Sequence, residues 1–276
     1  MFRADLHMHS HFSDGQYSPH QLIDFALAKG LSAISITDHD IYDAYSPDVL
    51  DYGKSKGITL LPGIEFSCDF KGNPIHILAY NMDKTDLIMR FCEKHTLRRK
   101  ERFESISKIL EKKGVKVKRE EFQEKKQGNL GRVFIAQKLV EWGYAESVKQ
   151  AFNLYLADRY LKNMQCTKFS IGETVAIVKQ SGGKAFLAHP HLIRKKRLIY
   201  EILDLKALSG IECFYGFFPP HVDREWEKLA LDRGLLVSGG SDFHGPDVTA
   251  AVMGTSWVDK ATAETIFPGK IPDHHA

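Results

Sequence analysis

Two histidines, His7 and His9, and an aspartate, Asp14, stand close together near the start of the chain in the segment "DLHMHSHFSDG". Side chains two positions apart on a β-strand project from the same face, so His7 and His9 would lie side by side, on the same face as Asp5. Neighbouring imidazoles are typical ligands of divalent metal ions. A single H-x-H pattern also occurs on solvated strands, so this segment alone leaves a metal site and a polar surface strand as alternatives.

Further donor side chains follow other apolar stretches. Asp242 and His244, in "GGSDFHG", repeat the spacing of two. Single donors close four more stretches: His39 in "ITDHD", Glu65 in "PGIEFS", His76 in "IHIL" and His189 in "AHP". In parallel α/β folds, functional side chains gather at the carboxyl ends of the strands. Nine nitrogen and oxygen donors without sulfur suit a multinuclear site for Mn²⁺, Fe²⁺ or Zn²⁺, with Mn²⁺ our first expectation.

Short apolar stretches alternate with helical patterns through much of the chain, and these stretches must position the donors. Examples are "SAISITDHD", "ITLLPGIEFS", "PIHILAY" and "SGIECF". The alternation predicts an α/β fold with parallel strands, in a barrel or an open sheet. The first helix has clear boundaries, because Ser18 is a good N-cap, Pro19 suits the first helical position and Gly30 ends it.

The alternation breaks between about Asp86 and Phe169, where four helical segments follow one another without a convincing strand. We therefore predict an inserted helical subdomain over 86–168, with the α/β domain that carries the donors formed by 1–85 and 169–276. The first inserted helix carries Phe103, Ile106 and Leu110 at helical spacing, which predicts packing residues.

Composition excludes several classes of protein. The chain has 38 basic and 35 acidic residues, a net charge of +3, so it is not a polyanion-binding surface as a whole, although basic clusters occur at 97–102, 112–119 and 194–197. The four cysteines lack C-x-x-C spacing, which argues against a disulfide framework and a thiolate zinc site. With no export signal and no long apolar run, we expect a cytoplasmic protein without a membrane span.

The ordered motifs "DLHMHSHFSDG", "ITDHD", "PGIEFS", "IHIL", "AHP" and "GGSDFHG" together resemble those of the PHP (polymerase and histidinol phosphatase) family. The resemblance covers nearly the whole chain. It implies a distorted (β/α)₇ barrel with an inserted helical subdomain and divalent metals at the carboxyl-terminal mouth.

Two features resemble the branch of nucleoside 3′,5′-bisphosphate phosphatases, some of which are also 5′→3′ exoribonucleases. One is Asp14, in "SDG", where other members have a third histidine; the other is the arginine-containing segment "GRVFIAQKLVEWGY" (131–144). The resemblance implies a small phosphorylated nucleotide as substrate, with short RNA as a further candidate, and no obligate protein partner or membrane is evident.

The resemblance also distributes the ligands among two or three metals. It assigns His7, His9, Glu65 and Asp242 to the first, His76 and His189 with a bridging Glu65 to the second, and Asp14, His39 and His244 to the third. It leaves Asp5, Asp38 and Asp40 as residues that orient the ligands through hydrogen bonds. For Asp40, a helix N-cap is an equal alternative.

The expected chemistry is attack on phosphorus by a metal-activated hydroxide. Glu65 would bridge the metals, and the leaving 3′-oxygen would be assisted by a third metal or by an acid such as His244 or Asp14. Arg132 would clamp a phosphate, and Arg194 or Lys195 could assist it.

One family position departs from the usual pattern. Phe134 stands where the segment G-R-x-H usually has its histidine, and so it is a candidate substrate-contacting residue that threatens phosphate recognition or leaving-group chemistry more than metal binding. Phe217 and Phe218, in a segment bulkier than expected, could stack on a base or serve packing.

The leading hypothesis is thus release of the 3′-phosphate from nucleoside 3′,5′-bisphosphates. The alternatives are 5′→3′ removal of nucleotides from short RNA, a histidinol-phosphate-type phosphatase, and, outside the enzymes, a degenerate PHP module that only binds.

Overall fold

The strands of the described chain form two sheets. A computed structural model describes residues 1–123, 130–161 and 168–272. The first sheet is parallel and has the order β1 (Ala4–Met8), β2 (Ala33–Ile36), β3 (Thr59–Leu60). The second has the order β6-β4-β5-β7-β8-β9, with β4 Gly63–Phe70, β5 Asn73–Tyr80, β6 Phe169–Ser170, β7 Lys184–Leu187, β8 Gly210–Tyr215 and β9 Leu236–Gly240.

The expectation of parallel strands is wrong for β5. Strands β4 and β5 form an antiparallel hairpin, and β5 also pairs antiparallel with β7. The hairpin turns at Lys71 and Gly72, both with positive φ, so only a short link separates the two strands. A parallel pair would need a longer crossover, which the segment between "PGIEFS" and "IHIL" cannot supply.

The two sheets meet through single residue pairs. Met8 pairs with Phe243 after β9, and His39 after β2 pairs with Glu65 of β4. The fold is therefore mixed α/β, as predicted, whereas the closed seven-stranded barrel is not seen as one continuous sheet and stays a prediction.

The helices cover the sheets and fill the insertion. They are α1 Pro19–Ala28, α2 Pro47–Ser55, α3 Asp86–Lys112, α4 Glu120–Gln123, α5 Arg132–Glu141, α6 Val148–Ala151, α7 Asp158–Leu161, α8 Ile171–Gln180, α9 Lys196–Asp204, α10 Pro220–Asp232 and α11 Lys260–Ile266, with a π-helical stretch at Phe152–Leu156 and a 3₁₀ turn at Pro190–Leu192. The predicted boundaries of α1 are confirmed, because Ser18 caps it with its side chain, Pro19 begins it and Gly30 follows with a φ of 67°.

The elements described between Asp86 and Leu161 are all helical, as the sequence indicated. They enclose an apolar core of their own, in which Phe103, Ile106 and Leu110 pack as predicted. Helix α3 has 27 residues, about 40 Å of helix, and its first turns pack instead into the main core between the sheets and the outer helices. One helix thus ties the insertion to the sheets, and the division into domains stays a prediction.

Two other sequence expectations concern cysteines and membranes. Cys68, Cys92 and Cys213 are free and buried, and Cys166 lies outside the described residues. No helix in the described ranges combines the length and the apolar character needed to cross a bilayer.

The hydroxyl of Tyr45 joins the two sheets where β2 and β4 approach each other. The backbone N–H groups of Ile36 and Gly63 both donate to it at 3.0 Å. The carbonyl oxygens of Ile36 and Leu61 lie 2.9 and 3.0 Å away as acceptors for its proton. This one buried oxygen therefore satisfies backbone groups from both sheets.

We predict that Tyr45→Phe lowers the free energy of unfolding by about 1–3 kcal/mol, because two buried N–H groups lose their acceptor. Urea denaturation followed by circular dichroism measures the change. Tyr200→Phe, at a 47% exposed residue, is the matched control and should be neutral. A change in Tyr45→Phe within about 0.5 kcal/mol, typical of surface substitutions, would contradict the assignment.

Candidate metal centre

The structure brings the nine candidate donors together at one edge of the two sheets. Three groups have ligand atoms within 4.8 Å of one another. They are His7, His9, Glu65 and Asp242; His9, Asp14, His39 and His244; and His39, Glu65 and His76. His189 joins the last group, because its Nε2 lies 2.9 Å from Glu65 Oε1. His11, which stands between the donors in the sequence, is exposed.

Strand pairing at the end of β1 sets the first donors side by side. The N–H of Asp242 donates to the carbonyl of His7 at 2.8 Å, and the N–H of His9 donates to the carbonyl of Phe243 at 2.9 Å. Gly240 permits this approach, since a Cβ there would lie 2.3 Å from the backbone nitrogen of His7. The two i, i+2 motifs therefore face each other, although they come from opposite ends of the chain.

Three non-glycine residues at the centre have left-handed backbones. The φ angles are 53° at Asp242, 25° at His189 and 64° at Asp40. Such conformations cost about 1–3 kcal/mol each and persist where surrounding contacts hold them. His189 and Asp242 each stand two residues after the end of a strand, and Asp40 stands four residues after the end of β2.

Glu65 lies at the middle of the cluster and is 1% exposed. Its Oε2 lies 3.1 Å from ring nitrogens of both His9 and His39. Its Oε1 lies 2.9 Å from His76 Nδ1 and from His189 Nε2. A buried carboxylate between so many imidazoles needs positive charge around it, supplied by protons or by metal ions.

The donor atoms fit divalent cations. Oδ1 of Asp14 and Oδ1 of Asp242 are buried without a hydrogen-bond partner. The Nε2 atoms of His7 and His9 face each other at 3.2 Å. Unpartnered carboxylate oxygens and converging imidazole nitrogens are what a metal bound between these residues would use.

The carboxylates around His7 and His9 change the proton affinity of both rings. Burial lowers the pKa of His7, but Glu212 and Asp242 more than offset this and raise its pKa well above the usual range. Burial also lowers the pKa of His9, while hydrogen bonds to Asp242 and Glu65 raise it to about 10. A metal must displace the protons of these rings, so metal affinity falls as the pH falls.

Glu212, which was not predicted from the sequence, contacts two of the donor residues, His7 and His189. It is fully buried in β8, and its Oε1 lies 2.8 Å from His7 Nδ1. Its Oε2 accepts a 2.6 Å hydrogen bond from the backbone N–H of His189. One carboxylate thus orients a ring from β1 and the backbone of the left-handed residue after β7. A charged residue inside the apolar stretch "SGIECFY" was the signal that could have identified it.

Tyr215, at the end of β8, was also missed as a partner of the centre. Its hydroxyl donates to Asp242 Oδ2 at 2.8 Å. The other oxygen of this carboxylate, Oδ1, is then directed into the cluster. It lies 3.2 Å from Nε2 of both His7 and His9.

Asp5 and Asp38 hold the backbone around the donors. Asp5 accepts from the N–H groups of Ser241 and Gly254 at 2.9 and 3.0 Å. Asp38 accepts from the backbone and hydroxyl of Ser10, at 2.8 and 2.6 Å, and so fixes the loop that follows the first two histidines. Both residues therefore act on loop geometry.

The N-cap alternative for Asp40 is wrong, because Ser46 caps α2. Asp40 instead is buried and is held by helix α3. The guanidinium of Arg99 donates to Oδ2, with its Nε at 2.7 Å, and His95 Nδ1 lies 3.1 Å from Oδ1. Since Asp40 follows His39 directly, this pairing connects the helical insertion to the metal centre.

A cleft opens beside the donors, which we call the cation-lined cleft. His39, His76 and Asp14 line one wall, and Arg98, Arg99, Arg102, Arg132 and Lys168 line the others. Arg132, the predicted phosphate clamp, is one of these lining residues, and its role stays a prediction. The arginines of α3 belong to the basic cluster noted at 97–102, although they were not named as site residues, and Lys168 lies in no sequence motif.

The other two predicted substrate residues lie elsewhere. Phe134 is 4% exposed and packs in the core of the insertion, with its ring 5.4 Å from Phe122 in an edge-on contact. Its place there follows from its position on the apolar face of α5, one residue beyond Val133, which does line the cleft. Arg194 is exposed after the 3₁₀ turn and is not among the residues that line the cleft.

Comparison with known proteins identifies a family and several relatives that agree with the resemblance seen in the motifs. Residues 5–160 match the PHP domain. The chain is 34% identical over 255 residues to the 5′-3′ exoribonuclease Rnm of Escherichia coli, which covers 88% of this chain and 85% of that protein. It is 29% identical over 256 residues to the 3′,5′-nucleoside bisphosphate phosphatase of Chromobacterium violaceum. That alignment covers 89% of this chain and 88% of the phosphatase.

One solved structure extends the match over nearly the full chain. A Bifidobacterium adolescentis protein assigned as a metal-dependent phosphoesterase superposes with a TM-score of 0.83 at 25% identity, covering 95% of this chain and 94% of that one. The family resemblance seen in the motifs is thereby confirmed.

We predict that Glu212→Gln weakens divalent metal binding about 10–100-fold, because the amide cannot accept from both His7 and the backbone of His189. Titration with Mn²⁺, followed by electron paramagnetic resonance of the free ion, measures the affinity. Glu225→Gln, on the exposed side of α10, is the matched control and should bind as the wild type does. Unchanged affinity in Glu212→Gln would remove this residue from the centre.

Proposed function

The chain belongs to the PHP domain family and is a metal-dependent phosphoesterase, and on that premise we propose that it hydrolyses the 3′-phosphate of nucleoside 3′,5′-bisphosphates. One observation carries the proposal: His39 and His76 belong to the donor cluster and also line the cation-lined cleft, so the two sites are adjacent. A substrate with two phosphates would place one at the donors and the other among the arginines and the lysine.

The donor groups would hold two or three cations, with Mn²⁺ the expected ion. His7, His9, Glu65 and Asp242 would hold one; His76, His189 and Glu65 a second; and Asp14, His39 and His244 a third. Bound divalent cations would lower the pKa of water towards neutrality and neutralise charge on the phosphoryl oxygens. Glu65 would belong to two of these sets, since its two oxygens face different histidines.

With a third cation on Asp14, His39 and His244, that cation would neutralise the leaving 3′-oxygen; with only two cations bound, His244 would supply the proton. Nδ1 of His244 faces the carbonyl oxygen of Asp242 at 2.8 Å, a hydrogen bond that fixes the orientation of the ring. Its Nε2 is then directed towards Asp14, 3.3 Å from Oδ1. Asp14 also lines the cleft.

Arg132 and Lys168 would bind the second phosphate from opposite parts of the insertion, together with Arg98 and Arg102. Arginine guanidinium groups pair with phosphate oxygens through two parallel hydrogen bonds. Arg99 would contribute less directly, because its guanidinium is bound to Asp40.

A second candidate is 5′→3′ removal of nucleotides from short RNA. The same cleft would hold the 5′-phosphate, and the same donors would act on the first internucleotide phosphate. The relative named as an exoribonuclease shares 34% of its aligned residues with this chain, against 29% for the bisphosphate phosphatase. No contact described here specifically favours histidinol phosphate, and the complete donor set argues against a module that only binds.

Direct assay separates these candidates. We expect the purified, Mn²⁺-loaded protein to release inorganic phosphate from a nucleoside 3′,5′-bisphosphate, and we would compare a 5′-phosphorylated oligoribonucleotide and histidinol phosphate in parallel. His9→Ala and Asp242→Ala should abolish turnover while circular dichroism shows the fold retained, because each removes a donor from the central group. Rapid hydrolysis of another phosphoester, with the bisphosphate untouched, would overturn the proposal.

Lys168 predicts a pH dependence. Burial, followed by repulsion from Arg102, lowers its pKa to about 8. The ammonium is charged below that pH and loses its proton as the pH rises through it, so kcat/KM for the bisphosphate should fall above about pH 8. Lys168→Arg keeps the charge and should move this decline to higher pH.

The matched control for this measurement is Lys179→Arg, on the exposed face of α8. Its profile should coincide with that of the wild type. If Lys168→Arg declined at the same pH as the wild type, Lys168 would not be the group that titrates.

A further inference from the structure

The loop that follows β8 presents an aromatic ring to solvent. Phe217 is 44% exposed, and its ring centroid lies 5.4 Å from that of Tyr215, at an angle of 39°. Single exposed apolar residues are common and need no special cause. This ring is different, because it continues a stack of rings that begins at the metal centre.

Several contacts hold the loop 216–219 in place. The N–H of Phe218 donates to the carbonyl of Tyr215 at 3.2 Å and closes a tight turn. Gly216 packs so closely on Thr255 that a Cβ would lie 2.4 Å from its hydroxyl. Beneath the turn, the ring of His191 stacks on that of Phe218 at 5.2 Å. Phe217 is therefore exposed on a fixed support.

The stack leads to the donors on the side away from the cleft. The Tyr215 hydroxyl donates to Asp242 at 2.8 Å, and the ring of the same tyrosine contacts that of Phe217. Strand β8 lies between β7 and β9, whereas the cleft is built beside the ends of β2, β4 and β5. The strand order therefore separates the exposed ring after β8 from the cleft beside β2, β4 and β5.

This arrangement has a consequence for a nucleic acid strand. With a 5′-phosphate in the cleft and the next phosphate at the donors, the remainder of the strand would leave the cluster away from the cleft, on the β8 side. The first group to arrive there is the nucleobase that follows the scissile phosphate. Aromatic rings bind bases by stacking, with little regard to base identity, which suits removal of nucleotides in succession.

We infer that Phe217, supported by Tyr215, is a stacking site for the nucleobase immediately downstream of the scissile phosphate. The inference rests on the proposed function and adds an RNA strand to the substrates of the same site. A nucleoside 3′,5′-bisphosphate has no downstream base, so this site distinguishes the two substrates.

The test compares Phe217→Ala with the wild type on a short 5′-phosphorylated oligoribonucleotide and on a nucleoside 3′,5′-bisphosphate. We expect kcat/KM on the RNA to fall about tenfold, mainly through KM, and kcat/KM on the bisphosphate to stay within about twofold. Phe217→Trp should restore activity on the RNA. Tyr200→Ala, which removes a similarly exposed ring from α9, is the matched control and should affect neither substrate.

A second RNA, abasic at its second nucleotide, identifies the group that stacks. The kcat/KM of the wild type should be about tenfold lower on the abasic RNA than on the intact RNA. For Phe217→Ala the two RNAs should give the same kcat/KM, because the stacking contact is already absent. The inference would be overturned if Phe217→Ala lowered kcat/KM equally on the RNA and the bisphosphate. It would also be overturned if the abasic nucleotide lowered kcat/KM as much in Phe217→Ala as in the wild type. A wild type inactive on all of these substrates would instead show that the proposed function itself is wrong.

Discussion

Burying Glu65 among imidazoles is the interaction on which the rest of the site depends. Its two oxygens face histidines from four different segments, and it is almost inaccessible to solvent. An isolated carboxylate in such a place would be strongly disfavoured, so the surrounding strands must deliver positive charge to it. The strand ends, the left-handed residues and the close approach at Gly240 are all means of directing those side chains to one point. When cations replace the ring protons, the same requirement becomes metal affinity.

A second set of carboxylates makes that arrangement rigid. Glu212, Asp5 and Asp38 are buried behind the donors, and each accepts from backbone or ring N–H groups that belong to different strands or loops. Asp40 has a further role, because its partners Arg99 and His95 come from the long helix α3. The same helix supplies Arg98 and Arg102 to the cleft. The position of the insertion, and with it the spacing between cleft and donors, is therefore coupled to a residue next to a donor.

The sequence was most informative where local geometry decides the outcome. His7 with His9, and Asp242 with His244, could be paired because alternation along a strand and the location of strand ends are local properties. The cap residues of α1 and the packing face of α3 were predictable for the same reason. The direction of β5 was not, because an apolar stretch such as "PIHILAY" reads alike in parallel and antiparallel sheets.

Residues that act across long sequence distances were missed for a related reason. Glu212 meets His7 from 205 positions away, and its importance depends on β8 pairing with β7 and on its side chain reaching the end of β1. Lys168 and the arginines of α3 reach the cleft only after the insertion has packed. For Phe134 the family pattern suggested a substrate contact, because a phenylalanine replaces the usual histidine. The residue lies instead on the buried face of α5, where it packs against Phe122.

The two flanks of the metal centre differ in chemistry, and this difference bears on how one active site could act on two kinds of phosphoester. The side formed by α3, α5 and Lys168 offers charge, which recognises a terminal phosphate whatever it is attached to. The β8 side offers rings and, through Tyr215, a direct contact with a donor carboxylate. Under the proposed function, charge on one flank would fix where the 5′ end stops, and the donors would then meet the next phosphate in both substrates. Selection between a mononucleotide and a strand would therefore depend on the aromatic flank alone, leaving the chemical step at the donors common to both.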